Sequence, residues 1–437
     1  MRRLLDPHLV LAGGAAVVLV LEALRGSEPV ATSPIWPVLQ AAVAGLALVF
    51  AWRRQEALRL VPLLAIAGAF HVGWIVVHLA VGVPSDWDSR VIYPPQGNAL
   101  LDGDYPSSEY PPGAVLLFAL EVLLGGGEAR VSNAFVMVPF QLATVGAIWA
   151  LRTRWSAWFA AVVALWPLNA FFWEFRFDVV PTALLVSGLV LALREQWALS
   201  GAVLAVGTAV KWTPALAAAA LALWLLTHGA ARAGVRHALA FAGTLVAVHL
   251  PFLLWDAGAV LHAYTEQGGR GITGESLPYI PLHVLGLANL EAEFWDPAVV
   301  PGWADIAAAV AQALLVVAAL VLVARFARSL SVAVALAALL PVVFLLANRI
   351  FSPQFLVPLL ASWAVAGALL ARSRVEQLLF AAAALGATLA NALIYPGQSQ
   401  QSFKLSAVLF VLAIAATAWL VVRSVTDDRA AVATRTP

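Results

Sequence analysis

The chain has 437 residues, 62% hydrophobic and 11% charged, with a formal net charge of +1. Soluble domains carry about 25% charged residues, so a soluble domain with a single anchor is excluded, and the charge balance offers a nucleic acid no basic surface. Cysteine is absent, which excludes a disulfide framework, a thiol nucleophile and a zinc-finger site.

Apolar segments follow one another from end to end. They lie at 9–25, 35–52, 59–82, 112–125, 132–151, 155–173, 177–194, 198–210, 214–227, 236–255, 303–325, 329–347, 353–371, 376–395 and 403–423. A helix needs about 20 apolar residues to cross a bilayer. The runs are too long and too little alternating for barrel strands, and lipid offers the backbone no outside partner, so they are read as helices. The expected fold is an all-α polytopic bundle of about 12–15 membrane helices, a single integral membrane domain over residues 1–437. The first segment follows Arg2 and Arg3 with no clear small-residue cleavage site behind it, and reads as a retained helix. Segments 112–125, 198–210 and 214–227 are short and read as half-helices or re-entrant pieces.

Arginine placement predicts orientation. Arg2, Arg3, Arg53, Arg54, Arg59, Arg152, Arg154, Arg194, Arg232, Arg236, Arg325, Arg328, Arg372, Arg374, Arg423 and Arg429 are expected at the cytoplasmic side, with both termini. Segment 112–125 must then cross incompletely, and 198–227 must form an up-and-down pair. Loop 83–111, the turn 174–178, the loop 256–302, "NRIFSPQ" (348–354) and "YPGQSQQS" (395–402) all fall on the opposite face. Polar groups gathered on one face are the pattern of a site.

The first of these loops is the richest. Between Ser85 and Phe118 stand five acids, Asp86, Asp88, Asp102, Asp104 and Glu109, with three tyrosines and five prolines. A carboxylate there can serve as a general base; otherwise it is a solvated loop acid. Glu174, Arg176 and Asp178 interrupt apolar sequence, where charge is costly unless paired or functional. The plain alternative is an internal Arg176–Asp178 pair at a helix end. Lys211 and Lys404 are the only lysines. Lys211 stands between two short helices with Pro214 behind it, and either meets an anion or snorkels to the interface. Arg270 and Glu275 lie in a glycine-rich loop that either closes over a ligand or is simply flexible. Arg349 and Gln354 bracket "IFSP", as site residues or as interfacial anchors. His71 and His78, one heptad apart, read as helix-packing residues rather than metal ligands, since no third ligand is placed near them. No P-loop or strand-linked G-x-G-x-x-G is present.

Together these residues carry a resemblance. Asp88, Tyr93, Gly103 and "EYPPGA" (109–114), then "RFDVVPTALL" (176–185), "GAVLAVGTAVKWTP" (201–214), "RGITGESLP" (270–278) and "FSPQF" (351–355), stand in the order seen in integral membrane glycosyltransferases of the GT-C type. The chain most resembles glycosyltransferase family 87, the polyprenol-phosphate-mannose-dependent mannosyltransferases typical of actinobacteria. The resemblance covers residues 80–360; two extra helices precede the first loop. The family's aspartate stands four residues before the tyrosine, whereas Asp88 stands five before Tyr93, so Asp88 and Asp86 both remain candidates for the base.

The resemblance implies inverting transfer of a sugar, mannose or arabinofuranose, from a polyprenyl-phosphate donor to a hydroxyl of a glycolipid or envelope glycan. It implies a plasma-membrane site on the extracytoplasmic face. Asp88 (or Asp86) would be the base. Arg90, Tyr93, Glu109, Tyr110, Arg176, Asp178, Lys211, Arg270, Glu275, Arg349 and Gln354 would contact donor or acceptor, with Lys211, Arg176 and Arg270 facing the phosphate. No cofactor is required and no metal is demanded. Nucleotide sugars are made in the cytoplasm, so an outward-facing site needs a donor carried by the bilayer. The rival readings are a transporter or flippase of a lipid-linked sugar, and a non-catalytic scaffold of envelope assembly.

Overall fold

A computed structural model of the chain describes residues 6–27, 34–81, 87–125, 129–291, 294, 296–395 and 403–433, the side chains of 427–433 excepted. Among them the architecture is all-helical, with only two isolated β-bridges. Among the described residues nine helices are long and apolar enough to cross a membrane, or ten if one bent pair is a single span. The expected number of crossings is reached only by adding five shorter apolar helices.

Local sequence sets most boundaries. Helix α1 (Pro7–Arg25) begins with proline in its first turn, and the Asp6 carboxylate accepts from the His8 amide at 2.7 Å, satisfying an otherwise unpaired donor. α2 (Ile35–Arg53) and α3 (Leu60–Val81) complete an N-terminal trio. α6 (Ala129–Trp149) packs on α3. The segment expected to be one helix at 155–173 is two, α7 (Ser156–Leu165) and α8 (Ala170–Phe175), bent by 53°. Pro167 lacks the amide needed to continue α7. α17 (Arg374–Ile394) opens on a reciprocal Ser373–Glu376 capping box, which satisfies donors at both positions.

The centre of the bundle is α9 (Val179–Leu193), α15 (Leu330–Leu346) and α16 (Leu356–Leu370), which are buried nearly all round. One apolar core runs through them from Leu11 to Leu420. The outer helices differ. α12 (Ala231–Gly269) and α14 (Gly302–Phe326) are also apolar enough to cross a membrane, yet only 6% and 11% of their membrane-length windows are buried. Apolar faces of that size left uncovered by protein are faces for lipid.

Two of the short segments have the predicted bounds, and the third begins one residue earlier, at Trp197. α5 (Pro112–Gly125), α10 (Trp197–Val210) and α11 (Pro214–Thr227) each have 14 residues, about 21 Å of helix against a core of about 30 Å. α10 and α11 form the expected up-and-down pair, joined at Lys211–Thr213. Three features escape the sequence reading. Loop 83–111 contains a π turn, Asp88–Ile92, and α4 (Tyr93–Leu101). Loop 256–302 begins with helix: α12 kinks at Asp256 and continues to Gly269. The same loop contains α13 (Tyr279–Val284).

The bundle has two unlike ends. At one, the Arg59 amide donates to His8, Trp155 donates to the Ala371 carbonyl, Arg374 lies over Trp52, and Arg423 pairs with Glu376. Trp224 donates to the Ala327 carbonyl. α15 and α16 are neighbours joined at 347–355, so residues 327 and 371 share this end. The arginine clusters between 53 and 59, 152 and 154, 325 and 328, and 372 and 374 therefore stand together. The opposite end collects loops 87–111, 174–178, 256–302 and 348–354. Most of "YPGQSQQS" lies outside the described residues; the Tyr395 ring packs on Phe171 and Phe172.

Candidate functional site

The site is built where α4, α8, α9, α10 and α16 meet their connecting turns. Two glycines allow this convergence. A Cβ on Gly97 would lie 2.4 Å from the Phe118 carbonyl oxygen, so α4 lies directly on the α5 backbone. A Cβ on Gly113 would lie 2.6 Å from the Ala209 carbonyl. That contact presses the start of α5 onto the end of α10, two residues before Lys211. Tyr93 stacks on Phe118 at 4.3 Å, and Tyr110 and Phe177 meet both rings edge-on.

The turn "EFRFD" (174–178) sends its three charged side chains to three different elements. Glu174 meets His71 of α3 at 2.8 Å. Arg176 pairs with Asp88 at 2.5 Å, the guanidinium side chain only 6% exposed and the carboxylate 24%. Asp178, 1% exposed, accepts from Lys211 at 2.6 Å. The internal Arg176–Asp178 pair does not form. Arg176 has extended backbone and Asp178 already adopts helical angles at the start of α9, so their side chains part to separate partners. Lys211 neither snorkels nor stands as an isolated cation. Its ammonium lies over the rings of Phe177 (5.2 Å) and Phe355 (4.9 Å) while it holds Asp178.

The Asp88 cluster extends outward. Tyr110 lies beside it. Burial pushes the phenol well above its ordinary range, and the carboxylates of Glu109 and Asp88 push it further, so the hydroxyl stays a proton donor. Glu109 accepts from Arg270 at 3.4 Å and from Gln267 at 3.3 Å. Arg349 donates to the Gly268 carbonyl, and its own carbonyl accepts from the Thr273 amide, both at 2.9 Å. It acts as a brace for the 268–273 segment.

The structure thus joins Asp88, Tyr110, Arg176, Glu109 and Arg270 in one cluster, with Asp178 and Lys211 beyond Phe177. Arg90 is exposed in the π turn, Tyr93 is core, and Gln354 is half-buried in the turn before α16. Glu275 is buried in a packed turn: Ile272, Thr273 and Ser276 beside it are covered, and a Cβ on Gly274 would meet Phe294 at 2.8 Å. Residues 272–276 of the glycine-rich segment are therefore packed into the wall, while Gly268, Gly269 and Arg270 before them are exposed. Asp86 lies outside the described residues.

Sequence reasoning missed the partners of the histidines. His71 contacts Glu174, the Ala164 carbonyl and Gln141; His78 contacts Glu22 at 2.6 Å and stacks on Phe175. Both are buried packing bonds between helices. Glu22 also pairs with Arg25 and accepts from Gln40. A lone acid in "LVLEALRG" is the signal that could have found it. Among the described residues no cluster of three or more possible metal ligands occurs. No family profile, curated protein or solved structure matches the chain.

Proposed function

We propose that the chain is an inverting membrane glycosyltransferase of the GT-C type. It moves a sugar, mannose by the sequence resemblance, from a polyprenyl phosphate to a hydroxyl of a glycolipid or envelope glycan. Its site faces away from the cytoplasm of the cell membrane. One observation carries the proposal: Asp88, a partly exposed carboxylate at the arginine-poor end of a lipid-facing bundle, is held by the buried guanidinium of Arg176.

In the mechanism, Asp88 takes the proton of the acceptor hydroxyl as its oxygen attacks the anomeric carbon. The bond from that carbon to the phosphate oxygen breaks, and the lipid phosphate leaves with the electron pair. A single displacement inverts the centre and needs no covalent nucleophile. Once protonated, Asp88 no longer neutralises Arg176. Positive charge is thus released beside the base in the same step that negative charge develops on the leaving group, the kind of fixed electrostatic stabilisation that dominates many enzymes. Arg270 at the rim has the same potential, since its partner Glu109 is exposed enough to be displaced.

The test is transfer itself. Membranes containing the protein are incubated with radiolabelled polyprenyl-phosphate sugars, and the lipid extract is analysed. The proposal expects a labelled glycolipid that is absent from membranes without the protein. A second reading, a transporter or flippase of a lipid-linked sugar, draws on the buried His71–Glu174 and His78–Glu22 pairs, because ionisable groups inside a bundle also serve proton relays. It predicts that the labelled donor crosses the bilayer and no new glycolipid forms.

A further inference from the structure

The Lys211–Asp178 pair has the wrong charge for the phosphate that the sequence reading assigns to Lys211. The ammonium is already neutralised by a buried carboxylate at 2.6 Å. A phosphate drawn to Lys211 would meet Asp178 beside it, like charge against like charge in a low-dielectric place. Asp178 is itself incompletely satisfied. Oδ1 accepts from Lys211, while Oδ2 is buried with no hydrogen-bond partner among the described residues. A buried acceptor left unpaired is destabilising, and a charged one more so.

The surroundings say what would satisfy it. Asp178, Thr182, Lys211 and Thr213 line a cleft walled by Pro181 and Phe355. The enclosed space is about 10 Å³, enough for one water-sized group. Lys211 has three N–H donors and gives one to Asp178. The Thr182 hydroxyl donates to the Asp178 backbone carbonyl at 2.6 Å, so its oxygen can still accept. The cleft therefore offers an acceptor and a donor side by side, with aromatic rings flanking the ammonium and no net charge. A hydroxyl group matches this set, because it donates through its hydrogen and accepts through its oxygen.

We propose that the Lys211–Asp178 cleft is a subsite for one hydroxyl of a neutral sugar, and that it does not hold the lipid phosphate. The site deepens the transferase reading and rests on it only for bringing a sugar there. The hydroxyl donates to Asp178 Oδ2 and accepts from Lys211 Nζ, while the apolar face of the sugar lies toward Pro181 and Phe355, which wall the cleft. The pair selects the sugar, and the charge chemistry stays with Asp88 and Arg176.

Two probes separate the halves of the donor: methyl α-mannoside has a sugar and no phosphate, and decaprenyl phosphate has a phosphate and no sugar. Binding of each, in radiolabelled form, to the full chain in nanodiscs is measured at equilibrium by filtration. Asp178→Asn is expected to weaken mannoside binding by about tenfold or more, the loss of a charged hydrogen bond, and to leave decaprenyl phosphate binding within about twofold. The double variant Asp178→Asn/Lys211→Met removes both charges together, so it leaves no buried charge unpaired, and it is expected to behave likewise. Mannoside binding that is absent in the wild type or unchanged in both variants overturns the subsite. Loss of decaprenyl phosphate binding with mannoside binding intact returns Lys211 to the phosphate. A protein that transfers no sugar but binds the mannoside through Asp178 supports the subsite while contradicting the transferase reading.

Discussion

At the residue scale, the pairing of charges decides what each substitution does. Asp178 is 1% exposed and Lys211 is 19% exposed, so the two halves of the pair are not equivalent. Lys211→Met strands a carboxylate that cannot reach water, and breaking a buried pair from one side costs about 3–5 kcal/mol. Asp178→Asn leaves an ammonium with some access to solvent, and its cost is expected to be smaller. Thermal unfolding in detergent should therefore rank wild type above Asp178→Asn and Asp178→Asn above Lys211→Met. The reverse order would show that the carboxylate, not the ammonium, is the partner that water can reach. Considered as a lone cation in lipid, Lys211 would gain stability on becoming methionine; its buried partner changes the sign.

At the scale of elements, backbone contact between α4 and α5 positions the Asp88 turn. Gly97→Ala places a methyl group against the Phe118 carbonyl, with a gap of 2.4 Å that backbone must widen. Overpacking of this kind costs about 1–3 kcal/mol. Gly146→Ala in α6 is the control, since nothing stands within 4 Å of the added carbon, and alanine favours a helix over glycine. Melting temperatures should fall for the first and hold or rise for the second; equal behaviour would deny the close approach. The elements themselves were largely legible. α5 and α11 have the bounds that hydropathy predicts, because lipid demands unbroken apolar runs and turns interrupt them. α4 was missed because its prolines, glycine and asparagine look like loop, although Pro94 and Pro95 suit a helix's first turn. The break at Pro167 was hidden in a uniformly apolar stretch. The site was legible as a set of residues and not as pairs. Which carboxylate meets which cation depends on how the ends of α8, α9 and α10 are turned by packing, and no spacing in the sequence encodes that.

At the scale of the whole molecule, the separation of arginine clusters from the carboxylate loops predicts sidedness, and the absence of cysteine makes it easy to probe. Cysteine at Ser107, which is exposed, or at Glu266, 51% exposed, should react with impermeant reagents in whole cells. Cysteine at Glu56, exposed at the opposite end, should react only after permeabilisation. Labelling in the opposite sense would place the site in the cytoplasm, where a nucleotide sugar could serve and the argument for a lipid donor fails. The central claim is that Asp88 accepts the proton during glycosyl transfer. It is tested most directly by the transfer rate of purified Asp88→Asn with a labelled polyprenyl-phosphate sugar, measured beside donor binding. The amide keeps the shape and removes the basicity, so turnover should fall by about 10²–10⁴-fold with donor affinity retained, whereas turnover equal to wild type would contradict it.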